Sequence, residues 1–127
     1  MMRTKTILVV DGAEGVRRLI RDVLAPEGWS VLEARDGSEA VLMAERHDGP
    51  IDLVLADVDM PCVDGFAFAR RLLRHRRRVG LLFISAQSGD ELRRIGLSDD
   101  APNFLPKPFR TGDMVRKAAA ILEAAAN

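Results

Sequence analysis

Several features that define large classes of proteins are missing from this sequence. Its only cysteine, Cys62, cannot form an internal disulfide, and a single thiol fits a reducing cytosol. No apolar run approaches the roughly 18 residues of a membrane span, and the N-terminus lacks the apolar segment of a signal peptide. Lysine plus arginine and aspartate plus glutamate both number 19, so the formal net charge is zero. We therefore expect a cytoplasmic protein without a membrane or nucleic-acid partner.

The composition that remains is that of an ordinary soluble domain. Its 127 residues are 47% apolar and 30% charged, which is enough to build a hydrophobic core without disulfides or structural metal. The chain contains no linker, repeat or low-complexity tract. We therefore expect one domain over residues 1–127.

Five short apolar runs alternate with helical patterns along the chain. We predict strands at residues 7–10, 29–34, 51–56, 81–84 and 103–105. The central run reads as a strand buried on both faces, because it is continuously apolar and bounded by Asp, Gly and Pro. Strands that alternate with helices imply right-handed crossovers, and hence an α/β fold with a doubly wound parallel sheet.

The helical patterns between the strands differ in strength. The first helix has an apolar stripe with helical spacing, made of Val16, Leu19, Ile20, Val23 and Leu24. The second begins at the turn and N-cap signal of Asp36, and its inward positions are Ala40, Val41 and Ala44. The third is marked by Phe66, Ala69, Leu72 and Leu73. The fourth begins at the capping box that Ser88 and Glu91 form, but its apolar stripe is thin. We expect this fourth helix to be the least firmly held.

Three of the predicted strands end directly before a polar residue, and a fourth polar residue lies just past the last strand. These residues are Asp11, Asp57, Ser85 and Lys107. In a parallel sheet all carboxyl ends lie at one edge, which is where such sheets bind their ligands. The sequence therefore predicts two carboxylates, a hydroxyl and an ammonium group at one rim.

This combination predicts phosphoryl-transfer chemistry. Two neighbouring acids repel each other, which raises a pKa or favours a divalent cation. Magnesium suits them, because it binds through one or two carboxylates, several waters and a phosphate oxygen. A carboxylate such as Asp57 can attack phosphorus and form an acyl phosphate, while Lys107 and Ser85 hold the product's oxygens.

The same segments resemble the receiver domains of bacterial two-component response regulators. The similarity lies in residues 7–11, 53–61 with Asp64-Gly65, 83–86 and 104–109, in the family's order and spacing. The resemblance implies a flavodoxin-like (βα)5 fold with strand order 2-1-3-4-5. It fits either a free-standing receiver or one that belongs to a larger protein such as a hybrid sensor kinase.

The resemblance also implies a role for each site residue. Asp57 would be the phosphoacceptor, and Asp11 would help to bind Mg²⁺ together with Asp57 and the backbone carbonyl of Asp59. Ser85 would bond the phosphoryl group and drive the switch. Lys107 would pair with that group, and the Lys107-Pro108 peptide bond is similar to one that is cis in the family.

Two positions depart from the family's pattern. Receivers usually have two adjacent acids after the first strand, and here the second position is Gly12. The missing side chain is a direct metal ligand in the family, so magnesium affinity is in question; Glu14 is a candidate replacement. Phe104 holds the switch position where tyrosine is common, and the chain has no tyrosine.

The implied function is that of a phosphoacceptor module in a phosphorelay, and not of an enzyme. A histidine kinase or histidine phosphotransfer protein would donate a phosphoryl group to Asp57. The face formed by the fourth helix, fifth strand and fifth helix (the α4-β5-α5 face) would then repack and dock a downstream protein. One alternative is a degenerate receiver that has lost its metal and acts through constitutive contacts. A more distant one is an aspartyl-nucleophile phosphatase, because Asp57-Val58-Asp59 resembles the D-x-D motif of haloacid-dehalogenase-type enzymes.

Other charged and reactive residues have simpler explanations. The basic run at residues 74–78 follows a helix C-terminus, where cations are favoured, and no aromatic residues interleave it as in nucleic-acid binders. Cys62 has no partner thiol for a redox role. We expect the side chain of Asp59 to be solvated in a loop and not to serve as a ligand.

Overall fold

Five parallel strands form a single sheet in the computed structural model, which describes residues 4–57, 71–72, 74, 79–86 and 103–126. The strands are β1 (Thr6–Val10), β2 (Ser30–Ala34), β3 (Leu53–Asp57), β4 (Gly80–Ser85) and β5 (Phe104–Pro106). Their order in the sheet is β2-β1-β3-β4-β5, with every neighbouring pair parallel. The predicted α/β class and the strand order 2-1-3-4-5 are both confirmed.

Helices connect and follow these strands. They are α1 (Glu14–Leu24), a short 3-10 turn (Ala25–Glu27), α2 (Gly37–Arg46) and the C-terminal helix (Thr111–Ala126), which is the predicted fifth helix. Of the predicted third helix, residues 71, 72 and 74 are described and helical. The predicted fourth helix lies outside the described residues. None of the described helices has the length and apolar character needed to cross a bilayer.

The core consists of two apolar layers, one on each face of the sheet. On one face, Ala40, Val41 and Ala44 of α2 pack with Leu72 over the sheet. On the other face, α1 and the C-terminal helix supply a second layer that includes Ile20, Leu24, Met114, Ala118 and Leu122. The side chains of β3 alternate between the two layers. Because Leu53 through Ala56 are almost fully buried, polar chemistry is accessible only where β3 ends.

Helix α1 is rotated relative to the stripe that its sequence suggests. Ile20 and Leu24 are buried as predicted, but Val16 and Leu19 are 40% and 58% exposed. Instead, the side chain of Arg17 lies on the buried flank and is only 15% exposed. Since successive residues of a helix are separated by about 100°, a rotation of the contact face toward Arg17 moves Leu19 into solvent.

Helix α2 begins where the sequence predicts. The carboxylate of Asp36 accepts a hydrogen bond from the backbone N–H of Glu39 at 2.8 Å, which is the N-cap interaction. The side chain of Glu39 in turn accepts from the backbone N–H of Arg35 at 3.2 Å. These reciprocal bonds fix the connection between β2 and α2 next to the rim of the sheet.

Candidate functional site at the carboxyl edge of the sheet

The polar residues that follow the strands meet at one edge of the sheet. Asp57 and Ser85 are the last residues of β3 and β4, while Asp11 and Lys107 directly follow β1 and β5. These four strands are consecutive neighbours in the sheet. Asp11 is 7% exposed and Ser85 is fully buried. The structure therefore brings together the four residues that the sequence pattern placed at the rim.

An ion pair joins two members of this group whose strands, β3 and β5, lie on either side of β4. Lys107 Nζ donates to Asp57 Oδ2 at 2.9 Å, although 50 residues separate them in sequence. The Lys107 backbone N–H donates to the carbonyl of Ser85 at 2.8 Å. The Lys107-Pro108 peptide bond is cis, as the family resemblance implied. An ammonium group thus lies directly beside the carboxylate of Asp57.

Asp11 is held by both its backbone and its side chain. Its N–H donates to the carbonyl of Ala34 at 3.1 Å, and its Oδ1 accepts from the N–H of Ala13 at 2.8 Å. Its own carbonyl accepts from Arg17 Nη1 at 2.7 Å. The residue is fixed at the junction of β1 and α1.

The environment of Asp11 raises its pKa above the ordinary value of 3.8. Burial is the main cause, because it disfavours the charged carboxylate; repulsion and hydrogen bonding from Asp57 act in the same direction. The N–H of Ala13 and the charge of Lys107 oppose this increase. The predicted repulsion between the two acids is therefore present, but it is secondary to burial.

The chemistry of these oxygens fits a magnesium ion that keeps most of its waters. Asp11 and Asp57 supply two adjacent carboxylates whose mutual repulsion a cation would relieve. Within the described residues no group of three or more His, Cys, Asp or Glu side chains could hold a metal. The third predicted ligand, the carbonyl of Asp59, lies outside the described residues. The described residues thus supply two candidate metal ligands, the carboxylates of Asp11 and Asp57.

Glu14, the candidate replacement for the acid that is missing at Gly12, is paired along α1 in this structure. Its carboxylate accepts from Arg18 at 3.0 Å in an exposed pair along α1. Gly12 itself has space for a side chain, because a Cβ built there would be 3.8 Å from its nearest neighbour, the carbonyl oxygen of Arg35. A side chain can therefore be accommodated at Gly12, and a metal ligand role for Glu14 stays a prediction.

The predicted switch position is buried in β5. Phe104 is 1% exposed and is paired in register with Phe83 of β4. The carbonyl of Phe104 accepts a hydrogen bond from Lys117 of the C-terminal helix. Leu105, Pro106, Pro108, Phe109 and Lys117 line a shallow pocket on this side of the molecule. Phe104 itself does not line this pocket, but its carbonyl is bonded to Lys117, which does.

Arg17 and Glu33 were not among the site residues predicted from the sequence. Arg17 reaches the backbone of Asp11, and its Nε lies 3.4 Å from Glu33 Oε1 on β2. No motif marks this contact, because the acceptor on Asp11 is a backbone carbonyl. The one available signal was a charged residue next to the apolar stripe of α1.

Comparison with known proteins identifies a single family. A family model described as the response regulator receiver domain matches residues 7–119. Response regulator GtcR of Aneurinibacillus migulanus is 32% identical over 96% of this chain and 49% of its own length. The alkaline phosphatase synthesis transcriptional regulatory protein SphR of Synechococcus elongatus is 36% identical over 95% and 50%. The chain thus spans about half the length of these curated relatives.

Solved structures give the same result for the fold. Chemotaxis protein CheY4 of Vibrio cholerae superposes with a TM-score of 0.80 at 24% identity, covering 94% of this chain and 99% of that one. The receiver domain of the hybrid histidine kinase CckA superposes with a TM-score of 0.74 at 32% identity, covering 92% and 98%. The arrangement of strands and helices is therefore one that these proteins share.

Proposed function

Because the chain belongs to the response regulator receiver domain family, we propose that it accepts a phosphoryl group on Asp57 and acts as a phosphorylation-dependent switch. Receiver domains generally bind Mg²⁺ at the phosphorylation site and interact with histidine kinases or histidine phosphotransfer proteins. The observation that carries the proposal is the ion pair between Lys107 Nζ and Asp57 Oδ2 at 2.9 Å, with Asp11 next to it.

The proposed reaction is a transfer from phosphohistidine to a carboxylate. An oxygen of Asp57 attacks phosphorus, a P–O bond forms, and the P–N bond to the donor imidazole breaks. The imidazole leaves with the electron pair and takes up a proton. Lys107, which already contacts the Asp57 carboxylate, offers its positive charge to the phosphoryl oxygens as negative charge develops on them.

Magnesium would be held by Asp11 and Asp57, with the carbonyl of Asp59 as the third ligand that the family resemblance implies. Bound there, the ion would neutralise charge on the phosphoryl oxygens. The chain's own contribution is to keep the two carboxylates close at a buried rim, although their proximity and the burial of Asp11 make them costly to ionise together. We propose a weaker magnesium site than that of receivers with two adjacent acids, because Gly12 has no ligand to give.

The switch would begin at Ser85. A phosphoryl group on Asp57 attracts the hydroxyl of Ser85 and the ammonium group of Lys107. The backbone N–H of Lys107 is already bonded to the carbonyl of Ser85. Phe104 is packed in the adjacent strand β5 and is bonded through its carbonyl to Lys117. A shift at β4 would therefore reach β5 and the C-terminal helix, which are the described part of the α4-β5-α5 face, where a downstream protein would dock.

A test of this function is the mass of the intact protein after incubation with a small acyl-phosphate donor. We expect a gain of one phosphoryl group that requires magnesium and is absent from Asp57→Ala. A wild-type protein that gains nothing, or an alanine variant that gains as much, would contradict the proposal.

The second candidate is a degenerate receiver, and the absence of a ligand side chain at Gly12 favours it. Such a protein would bind partners constitutively through the same face. Calorimetric titration with magnesium separates the two functions. Heat of binding at millimolar metal supports the phosphoacceptor, and no heat at that concentration supports the degenerate module.

A further inference from the structure

Arg17 makes a contact with Asp11 that has no role in the phosphoryl transfer proposed above. Its Nη1 donates a short hydrogen bond of 2.7 Å to the carbonyl of Asp11, and its Nε lies 3.4 Å from Glu33 Oε1. Its side chain is only 15% exposed. Hydrogen bonds from a charged donor are stronger than neutral ones, and a partly buried guanidinium is less screened than one on the surface.

Glu33 anchors this arginine to the sheet. Glu33 lies in β2, in register with Val9 of β1, and the N–H of Asp11 donates to the carbonyl of the next residue, Ala34. Asp11 is therefore tied to the end of β2 twice, once through its own N–H and once through Arg17 and Glu33. Both ties act on the backbone and leave the carboxylate oriented toward Asp57.

The loop after Asp11 needs such an anchor. Gly12 follows it directly, has no side chain to pack, and is exposed. A glycine at this position gives the backbone more conformational freedom than any other residue. Without a fixed carbonyl at Asp11, rotation about the adjacent backbone bonds would carry the carboxylate away from Asp57 and break its bond to the N–H of Ala13.

We propose that Arg17 is a positioning residue that holds the backbone of Asp11, so that its carboxylate stays beside Asp57 and available to a divalent cation. The role of the cation rests on the proposed function, whereas the anchoring of Asp11 does not. Arg17 reaches the site through the carbonyl of Asp11, which makes it a positioning residue and not a ligand.

The chain offers a matched control in Arg21. Its Nη1 contacts the other oxygen of the same glutamate, Glu33 Oε2, at 3.3 Å, but its side chain is 59% exposed. Arg21→Met therefore removes the same charge, one turn further along α1, without removing the bond to Asp11. Arg17→Lys keeps the charge but has a single donor nitrogen, and it loses the planar fork that reaches both partners.

The first measurement is amide hydrogen exchange of the metal-free protein. Arg17→Met should accelerate exchange of the Ala13 N–H, which is bonded to Asp11 Oδ1, by about tenfold or more, since the loss of a charge-assisted bond changes an opening equilibrium by that order. Core amides of β3 serve as the internal reference for global stability. Arg21→Met should leave the Ala13 N–H at the wild-type rate, and Arg17→Lys should fall between.

The second measurement is the magnesium dependence of phosphoryl acceptance from the acyl-phosphate donor. We expect Arg17→Met to raise the magnesium concentration at half-maximal rate by about tenfold, in the range for residues that support a metal ligand, with little change in the rate at saturating metal. Equal effects in Arg21→Met, or a Ala13 N–H that exchanges at the wild-type rate in Arg17→Met, would overturn the proposal. If the wild type accepts no phosphoryl group, the proposed function fails, and the exchange measurement still decides the role of Arg17.

Discussion

Restoring an acid at Gly12 is the change that most sharply tests the account of the metal site. A Cβ at this position has its nearest neighbour at 3.8 Å, which is ordinary van der Waals contact, and the backbone is not in the left-handed region. Gly12→Asp therefore introduces no steric strain at its Cβ. It adds a second acid directly after Asp11, as in receivers with the adjacent pair.

The size of the effect follows from Coulomb's law. Two unit charges at about 4 Å interact by about 1 kcal/mol in water-like surroundings, so one carboxylate and a divalent cation gain about 2 kcal/mol. Gly12 is exposed, which makes the water-like value the appropriate one. A gain of about 2 kcal/mol corresponds to magnesium binding that is about 30-fold tighter. Without metal, the added charge beside Asp11 is expected to lower the free energy of unfolding by about 1 kcal/mol.

The assay is calorimetric titration of magnesium into the wild type, Gly12→Asp and the control Gly15→Asp. Gly15 lies in the first turn of α1, and a Cβ there has no neighbour within 4 Å. The control therefore adds the same charge near the site but not at the position directly after Asp11. We expect tighter binding in Gly12→Asp alone. Equal affinity in wild type and Gly12→Asp, or equal gains in both variants, would refute the reasoning that the residue after Asp11 limits metal binding.

Three further predictions concern individual side chains at or near the rim. Burial raises the pKa of Asp11 above 3.8, so protonation of Asp11 stabilises the fold, and this stabilisation is lost as pH rises through the folded-state pKa. Above that pH, urea denaturation of the metal-free protein should show Asp11→Asn to be more stable than the wild type by about 1 kcal/mol. This difference in the free energy of unfolding should vanish near pH 3. Lys107→Met should slow phosphoryl acceptance by about tenfold or more, since a charged hydrogen bond to Asp57 is lost; an unchanged rate in a stopped-time mass assay would contradict that role. Asp36→Ala removes the N-cap bond to Glu39 and should lower the free energy of unfolding by about 1 kcal/mol, whereas an unchanged midpoint in thermal denaturation would show that the cap contributes nothing.

The framework of the site could be predicted from the sequence because it depends on features that are contiguous in the chain. Buried strands are uninterrupted apolar runs, so the positions of Asp11, Asp57 and Ser85 at strand ends follow from where each run stops. Parallel topology then requires those ends to lie on one edge. The contact between Lys107 and Asp57, 50 residues apart, is a consequence of that topology and needs no local signal.

The details that could not be predicted depend on backbone groups and on the rotation of a helix. The bond from Arg17 to Asp11 has a carbonyl as its acceptor, and every residue has one, so no pattern of side chains reveals it. The exposure of Leu19 depends on which part of a wide apolar stripe faces the sheet, and periodicity alone does not fix that angle. Glu14 pairs with Arg18 one turn later along α1, and the sequence pattern does not fix which partner such an exposed side chain meets.

The central claim is that one particular carboxylate, that of Asp57, receives the phosphoryl group. The most direct measurement is to treat the phosphorylated protein with hydroxylamine, which attacks the acyl carbon, releases inorganic phosphate and leaves a stable hydroxamate, and then to sequence the peptides by tandem mass spectrometry. The account predicts a hydroxamate at Asp57 and at no other acid. A hydroxamate at Asp11, or phosphate that resists hydroxylamine, would contradict it.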